Sequence, residues 1–458
     1  MIARTTLTRG ALLSALVFPA VAHPQEASPL RPFGTLREQA AVRQQWLRQR
    51  METVLPALMR KHGVDMWVIP MREYNEDPMF SSLVAPTTLA ARRRTIYIFF
   101  DRGAAGVERL ALGGSSQGGV YAAVRSQRAA PGNWMGARQA ELDGDEQWLV
   151  LRDIIEQRKP ARIAINKSRI WAFADGLSAG EYEGMREHLG EPWTSRLIPA
   201  EGMAVDLIAS RLPDEERMYP RLQNVVWALI DTMFSNRVIT PGVTRTSDAV
   251  WWFRQRVNDL GLTSWFHPSV TVQRRGATAR EIGDDPVIQR GDLLHCDVGL
   301  VALGLATDTQ HMGYVLLASE TEPPAGLRNA LVESNRLQDI VMQEVRPGRT
   351  GNEILRGALA RMRGAGIDGS VYTHPIGLYG HGAGPLIGRW DNQEGLPGRG
   401  DHRVIPGMWF SIELQTTSAV PEWGGQRVWS AQEEDAIISQ DGKVRWALRR
   451  QTELHLVR

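Results

Sequence analysis

Two kinds of apolar pattern alternate along the first half of the chain. Apolar residues recur at helical spacing over 40–62 and 145–157, which predicts a helix in each segment. Between and around them lie short apolar runs bounded by polar or turn-forming residues, which predict strands. These predicted strands are Met66–Pro70, Thr95–Phe100, Arg109–Leu112 and Arg162–Asn166. The alternation predicts an α/β domain of roughly 170 residues.

The second half of the chain contains a repeated unit. Helical spacing over 215–236 is followed by Pro-Gly-Val-Thr at 241–244 and by a second helical segment at 248–260. The same order returns 106 residues later (347 − 241), where Pro-Gly-Arg-Thr stands at 347–350 between helical segments 327–344 and 353–363. The repetition predicts an α+β domain built from two related halves.

A second similarity between the two segments supports the internal repeat. Gly291 leads into an apolar strand that carries Asp297 six positions on, and Gly407 leads into a strand that carries Glu413 at the same offset. Each half is therefore expected to deliver a carboxylate from a buried strand. We predict domain boundaries at 23–213 and 214–458, with a junction between Pro199 and Pro213.

The strand at 293–298 and the apolar stretch after it predict a hairpin that contains two acids, Asp297 and Asp308. A turn centred on Ala302 and Leu303 would place the two acids opposite each other, with Cβ atoms roughly 4.5–5.5 Å apart. Two like charges at that distance repel unless one is protonated, both reach solvent, or a cation lies between them. The hairpin alone does not choose between these outcomes.

Residues 1–22 have the pattern of a secretory signal peptide. Arg4 and Arg9 precede a short apolar stretch that ends in Ala-Val-Ala at 20–22, a typical cleavage pattern. An uncleaved anchor is the weaker alternative, and no later segment reaches the length of a membrane span. We therefore expect a periplasmic or secreted protein that does not associate with the membrane after cleavage.

Composition narrows the class of protein. The chain has 458 residues, 43% of them hydrophobic and 23% charged, with a net charge of +2. These values are ordinary for a soluble enzyme with more than one domain and do not indicate a nucleic-acid partner. The single cysteine, Cys296, excludes an intramolecular disulfide. Strand alternation turns Cys296 away from Asp297, which predicts a buried structural thiol.

Three further residues complete a candidate metal-binding set. His381 lies in the glycine-rich stretch Tyr-Gly-His-Gly-Ala-Gly at 379–384, and Glu413 lies on an apolar strand. Glu-Glu-Asp at 433–435 opens another apolar run, and one of these acids could face inward. Together with the two hairpin acids, they form a set of four carboxylates and one imidazole. Such a set suits two divalent cations, with Mn, Co, Fe or Zn in a catalytic site.

These residues, in this order and spacing, resemble the pita-bread metallopeptidases, a family that includes aminopeptidase P, prolidase, methionine aminopeptidase and the non-peptidase creatinase. The family has two Asp eleven residues apart (308 − 297 = 11), then a His in a Gly-rich loop, then two Glu. The resemblance covers 214–445 and favours Glu433 over Glu434 as the last ligand. The segment before it is similar to the N-terminal domain of creatinase, prolidase and aminopeptidase P.

Two departures from the family pattern affect the expected substrate site. The family usually has a second His seven residues after the ligand His, but Gly388 stands at that distance from His381. The stretch 277–281 also lacks the His that often precedes the first Asp strand. His374, seven residues before His381, and His267 are the candidates to take these roles. His295 and His311 flank the acidic hairpin and are expected to be either partners of the ligands or core residues.

The resemblance implies an exported enzyme with two divalent metal ions, Mn foremost, that cleaves the bond before proline in a small peptide. A metal-bridging hydroxide would attack, and Glu413 would double as general base. Two rivals stay open on the sequence: a creatinase-like hydrolase of a small non-peptide, and a binding homologue without activity. The sequence also leaves open whether the chain is a monomer or a homodimer.

Overall fold

The computed structural model describes residues 31–128 and 139–458. The predicted signal peptide, 1–22, therefore lies outside the described residues. Two separate β-sheets organise the described chain, one built from strands between Met66 and Pro199 and the other from strands between Ser269 and Val457. None of the described helices is long and apolar enough to cross a membrane.

The first sheet has six strands in the order β4-β3-β2-β1-β5-β6 and mixes parallel and antiparallel pairs. Its strands are β1 (Met66–Arg72), β2 (Arg94–Asp101), β3 (Val107–Leu112), β4 (Ala122–Val124), β5 (Ile163–Ile165) and β6 (Leu197–Pro199). The helices around it are α1 (Leu36–Gln49), α2 (Leu55–Lys61), α3 (Phe80–Leu83), α4 (Glu146–Arg158), α5 (Ala179–Leu189) and α6 (Glu201–Ala209), with a π-helical turn at Arg50–Val54.

The first half agrees with the α/β architecture expected from its pattern. Each predicted strand forms, and apolar side chains fill both faces of the sheet. Trp67 and Tyr97 lie in a buried cluster with the helices on one face, and Met66 and Ile98 lie in a second cluster with α4 and α5 on the other. The predicted helix at 40–62 is interrupted by the π-helical turn just before Pro56, which lacks the backbone N–H that a helix interior requires.

The second sheet has nine strands. Six follow the order β12-β14-β15-β11-β8-β7, while β13 pairs with β14, β16 with β15 and β17 with β11. The strands are β7 (Ser269–Gln273), β8 (Leu293–Val298), β11 (Thr309–Val315), β12 (Gly369–Val371), β13 (His374–Ile376), β14 (Trp409–Val420), β15 (Gln426–Ile438), β16 (Val444–Trp446) and β17 (His455–Val457), and a separate two-residue ladder joins β9 (Val301–Ala302) to β10 (Leu305–Ala306). The helices are α7 (Pro213–Met233), α8 (Thr246–Asp259), α9 (Ala279–Ile282), α10 (Ala325–Glu344) and α11 (Gly351–Gly364).

The helix pairs α7–α8 and α10–α11 occupy the two segments that the internal repeat predicted. Each pair buries an apolar stripe in a cluster of its own, with Phe253 in the first and Leu355 in the second. Cys296 is fully buried in the first cluster, as the alternation predicted. Helices thus cover one face of the second sheet, while Asp297, Glu413 and Glu433 lie on the other.

The predicted register of the acidic hairpin is wrong by two residues. The turn is centred on Leu303 and Gly304, both with positive φ, and Asp297 lies opposite Gln310 rather than Asp308. Glycine at the second turn position adopts a positive φ without a Cβ clash. This favours a turn centre one residue later than the symmetry of the apolar pattern suggested. Because the slip is an even number of residues, Asp308 still shares a strand face with Asp297.

A candidate metal centre on the second sheet

A row of polar side chains runs across the second sheet at one level. Directly paired residues on neighbouring strands are Ser269, Asp297, Gln310, Glu433 and Glu413, from β7 through β8, β11 and β15 to β14. Asp308 precedes β11 and lies two residues before Gln310, so its side chain points to the same face. The sheet therefore brings together four carboxylates that lie up to 136 positions apart in the sequence (433 − 297).

Ligand atoms of this row approach closely enough to hold metal ions. Three groups of side chains each have ligand atoms within 4.8 Å of one another: Asp297 with Asp308 and Glu433, His374 with Glu413 and Glu433, and Asp308 with His374 and His381. The groups share members, so they form one continuous cluster. All four carboxylates and the loop histidine that the sequence predicted as ligands belong to it, together with His374.

The carboxylates of the cluster are held in an environment that disfavours several negative charges. Burial, followed by the charge of Glu433, raises the pKa of Asp297, Asp308 and Glu413 well above the ordinary carboxyl range. One oxygen of Asp297 and one of Asp308 are buried without a hydrogen-bond partner among the described residues. Unpartnered buried carboxylate oxygens are costly in a protein interior unless a cation binds them. The donor set fits divalent cations.

His374 lies at the centre of the cluster. Its Nε2 atom is 3.1 Å from Glu433 Oε1, 3.6 Å from Asp308 Oδ2 and 3.8 Å from Glu413 Oε2. Its Nδ1 atom donates a hydrogen bond to the carbonyl of Pro375 at 3.0 Å, which fixes the ring orientation. Although burial lowers the pKa of His374, the hydrogen bond and charge of Glu433 raise it to about 9.

His381 lies at the exposed edge of the same cluster. Its ring meets the edge of His374 with centroids 4.8 Å apart and that of Trp265 with centroids 5.0 Å apart. The neighbouring glycines are required by packing: a Cβ on Gly380 would lie 2.1 Å from the Trp265 ring, and one on Gly382 would lie 2.7 Å from the Pro375 carbonyl. The glycines therefore let the backbone of this loop pack closely against Trp265 and Pro375.

The structure does not bring His267 into the cluster. Its Nδ1 atom accepts a hydrogen bond from Arg254 at 3.0 Å, and its exposed ring packs edge-on against Trp251 of α8. None of the three ligand groups found among residues 31–128 and 139–458 contains it. The predicted catalytic role of His267 therefore has no support in this arrangement.

The two adjacent acids on β15 face opposite sides of the sheet, because side chains alternate along a strand. Glu433 points into the cluster, whereas Glu434 is 2.8 Å from His311 Nε2 and accepts a hydrogen bond from the Gln451 N–H at 2.9 Å. His311 in turn contacts His455 at 2.9 Å. His311 is thus a core residue on the far face, one of the two outcomes left open for it.

The sequence interpretation missed two polar residues beside the cluster. Gln310 contacts Glu413 and Glu433, and Asp435 accepts hydrogen bonds from Tyr219 at 2.6 Å and from the Asp308 N–H at 3.3 Å. Period-two alternation could have indicated both, because each lies two residues from a predicted ligand on the same strand face. The groups that Gln310 and Asp435 contact, however, cannot be read from the sequence.

Comparisons with known proteins agree with the fold. Residues 221–438 match the sequence profile of metallopeptidase family M24. The X-Pro aminopeptidase of Thermotoga maritima is similar in structure, with a TM-score of 0.61 and 16% identity over 88% of this chain and 100% of that one. The Xaa-Pro dipeptidase of Bacillus anthracis has a TM-score of 0.58 and 16% identity over 91% of this chain and 99% of that one.

A third similar structure, the dipeptidase of Pyrococcus horikoshii, has a TM-score of 0.57 and 18% identity over 89% of this chain and 100% of that one. No curated protein matches the chain by sequence. At such identities the structural likeness shows the shared fold, while the family profile spans all six residues of the cluster. The part of the chain that spans residues 221–438 therefore belongs to metallopeptidase family M24 and has the pita-bread fold.

Proposed function

We propose that the protein is an exported, dinuclear metal-dependent peptidase that cleaves the bond between a first residue and a following proline. The observation that carries the metal centre is the cluster itself, in which four buried or partly buried carboxylates and two histidines converge. One oxygen of Asp297 and one of Asp308 have no partner among the described residues. The similar structures include an X-Pro aminopeptidase and an Xaa-Pro dipeptidase, which supports the substrate class. The pattern of residues 1–22 supports export.

We further propose that the two histidines exchange the roles that the sequence suggested. His374 is buried, its Nδ1 is fixed by a backbone carbonyl, and its Nε2 points at three carboxylates, which is the usual arrangement of a ligating imidazole. His381 then stands seven residues after the ligand (374 + 7), at the distance where the family places its substrate-contacting histidine. This exchange accounts for the absence of a histidine at Gly388.

Metal binding would involve Asp297, Asp308, His374, Glu413 and Glu433, with Asp308 and Glu433 shared between two sites. When bound, two divalent cations, Mn foremost, would polarise the scissile carbonyl and lower the pKa of a water. Glu413 is placed to move a proton, because its side chain is 17% exposed whereas those of Asp308 and Glu433 are 5% and 1% exposed. His381, at the open edge beside Trp265, would contact the peptide.

A peptide panel tests this function. Purified mature protein reconstituted with Mn²⁺ should hydrolyse Xaa-Pro dipeptides or longer Xaa-Pro peptides in preference to matched Xaa-Ala peptides. Glu433→Gln should lower kcat by orders of magnitude, about 10²-fold or more, since it removes a shared ligand. Glu434→Gln, on the neighbouring residue that faces the other side, is the matched control and should retain activity. Metal-loaded protein that turned over no Xaa-Pro peptide would overturn the proposal.

A further inference from the structure

Gln310 occupies the centre of the acidic row. It is paired directly with Asp297 on one neighbouring strand and with Glu433 on the other. In this row Gln310 is a neutral amide, whereas the residue paired with it on each neighbouring strand is a carboxylate. Only 5% of its surface is exposed, so solvent does not satisfy its polar atoms.

The amide of Gln310 links two of the proposed ligands. Its Nε2 atom is 2.5 Å from Glu413 Oε1 and 2.8 Å from Glu433 Oε2. The amide nitrogen has two N–H groups, and each can be donated to one carboxylate. The opposite orientation would direct the amide oxygen at carboxylates that can only accept while they are ionised, so this contact fixes the amide orientation.

The other end of the amide is fixed by His295. His295 Nε2 lies 2.9 Å from Gln310 Oε1 and must donate to it, since an amide oxygen only accepts. The second ring nitrogen, Nδ1, then accepts from the Thr271 hydroxyl at 3.3 Å. The ring of Trp429 packs edge-on against His295 with centroids 5.0 Å apart, which limits its rotation.

We infer that Gln310 is a positioning residue of the metal centre, oriented by His295. It binds one oxygen of Glu413 and one of Glu433 through a single neutral donor group, so that the remaining oxygens would be available to cations. The two hydrogen bonds from Gln310 oppose the repulsion between the glutamates, and they add no positive charge that would compete with a cation. The inference rests on the proposed metal centre and adds a residue that neither the family pattern nor the ligand set requires.

Metal affinity, rather than activity, is the primary test. Gln310→Leu keeps a side chain of similar size and removes the donor, and it should weaken Mn²⁺ binding about 10–100-fold in competition with a chelator. The absorption spectrum of the Co²⁺-loaded variant should also change, because the ligand geometry would relax. Gln432→Leu is the matched control: Gln432 is fully buried next to Glu433 but faces Ser334 on the opposite side of β15. Its Mn²⁺ affinity should stay within about 2-fold of wild type, even if its melting temperature falls.

A double-mutant cycle tests the link to His295. His295→Leu should weaken Mn²⁺ binding in the same direction, and the double variant should bind no more weakly than Gln310→Leu alone, because both substitutions break one chain of contacts. Wild-type affinity and an unchanged Co²⁺ spectrum in Gln310→Leu would overturn the inference, as would an equal loss in Gln432→Leu. Wild-type protein that bound no metal at all would instead overturn the proposed function.

Discussion

At the scale of single residues, the two histidines of the cluster make separable predictions. His374 Nε2 points at three carboxylates, whereas His381 lies at the exposed rim, where its ring meets those of Trp265 and His374. His374→Ala should therefore lose one of two bound Mn²⁺ ions and almost all activity. His381→Ala should keep both ions and lose about 10²–10³-fold in kcat, the usual scale for one donor or acid in the transition state.

Metal analysis of both variants, together with their kinetics, checks this assignment. Full metal occupancy in His374→Ala combined with metal loss in His381→Ala would restore the roles first expected from the sequence. The local sequence could not decide which of the two histidines is the ligand. A glycine-rich loop around His381 matches a ligand motif, but the depth of each histidine in the sheet depends on the pairing of β13 with β14, which no local pattern reveals.

The convergence of Asp297, Asp308, Glu413 and Glu433 was expected from the strand pattern together with the resemblance to the metallopeptidase family, and the structure brings the four side chains together. Their ligation of metal stays a prediction. Gln310 was not found because an isolated amide carries no signal by itself. Its proposed role follows from the strand pairing, which places Asp297 on one side of Gln310 and Glu433 on the other.

At the scale of secondary-structure elements, Gly388 shows why the expected family histidine is absent at that distance from His381. Its φ is +78°, and a Cβ would lie 2.1 Å from the carbonyl oxygen of Val371 in β12. A side chain there would push the loop away from β12 and from β13, which carries His374. Gly388→Ala should lower the free energy of unfolding by about 2–4 kcal/mol, through both backbone strain and the clash.

Gly424 provides the control for this prediction. It has a similar φ of +70°, and nothing lies within 4 Å of its ideal Cβ. Gly424→Ala should cost only about 1 kcal/mol, the price of the left-handed backbone. Urea denaturation of the two variants measures the difference, and equal losses would show that the Val371 contact contributes nothing.

The elements also show what the apolar pattern could and could not determine. Every strand named from the sequence forms, and the two helix pairs of the repeat occupy their predicted segments. The register of the hairpin was wrong, because symmetry of apolar residues does not locate a turn when Leu303 itself adopts positive φ. The face of each acid was nevertheless right, since face depends only on even or odd offsets.

At the scale of the whole molecule, a buried ion pair connects the N-terminal helices to the start of α7. Arg50 Nη2 lies 2.6 Å from Glu215 Oε1, and the fully buried Arg211 has its pKa lowered by burial to about 10. Glu215→Gln would leave two buried guanidinium groups without a counter-charge. The free energy of unfolding should fall by about 3–5 kcal/mol, the cost of breaking a buried pair.

The exposed pair of Arg328 and Glu322 is the control, with side chains 49% and 65% exposed. Glu322→Gln should change the free energy of unfolding by less than about 1 kcal/mol. Chemical denaturation of both variants, each with metal bound, checks the comparison. A loss of less than about 1 kcal/mol in Glu215→Gln would mean that the buried pair does not contribute to stability.

The metal-free protein should lose stability as pH rises from about 7 to about 9. The pKa of Asp297 and that of Asp435 are raised to about 8, chiefly by burial, while that of His374 is raised to about 9 by Glu433 despite burial. Each group has an unfolded pKa near or below about 6.5, so the folded metal-free state holds more protons in this window. Stability therefore falls as these protons leave.

Calorimetry of metal-free and Mn²⁺-loaded protein across that window measures the effect. Buried histidines with lowered pKa, such as His311, titrate below the window and do not obscure it. The melting temperature of the metal-free form should fall with rising pH, whereas cations that replace the lost protons should remove this fall in the loaded form. A metal-free melting temperature that rises from pH 7 to pH 9 would contradict the pKa directions of these three groups.

The most direct test of the central claim is anomalous X-ray diffraction from crystals of the Mn²⁺-loaded protein. We expect two manganese peaks, one bonded to Asp297, Asp308 and Glu433, and the other bonded to Asp308, His374, Glu413 and Glu433. Both peaks should lie on the face of the second sheet that carries the acidic row. A single peak, no peak among these carboxylates, or a manganese bonded to His381 with His374 out of reach would contradict the account.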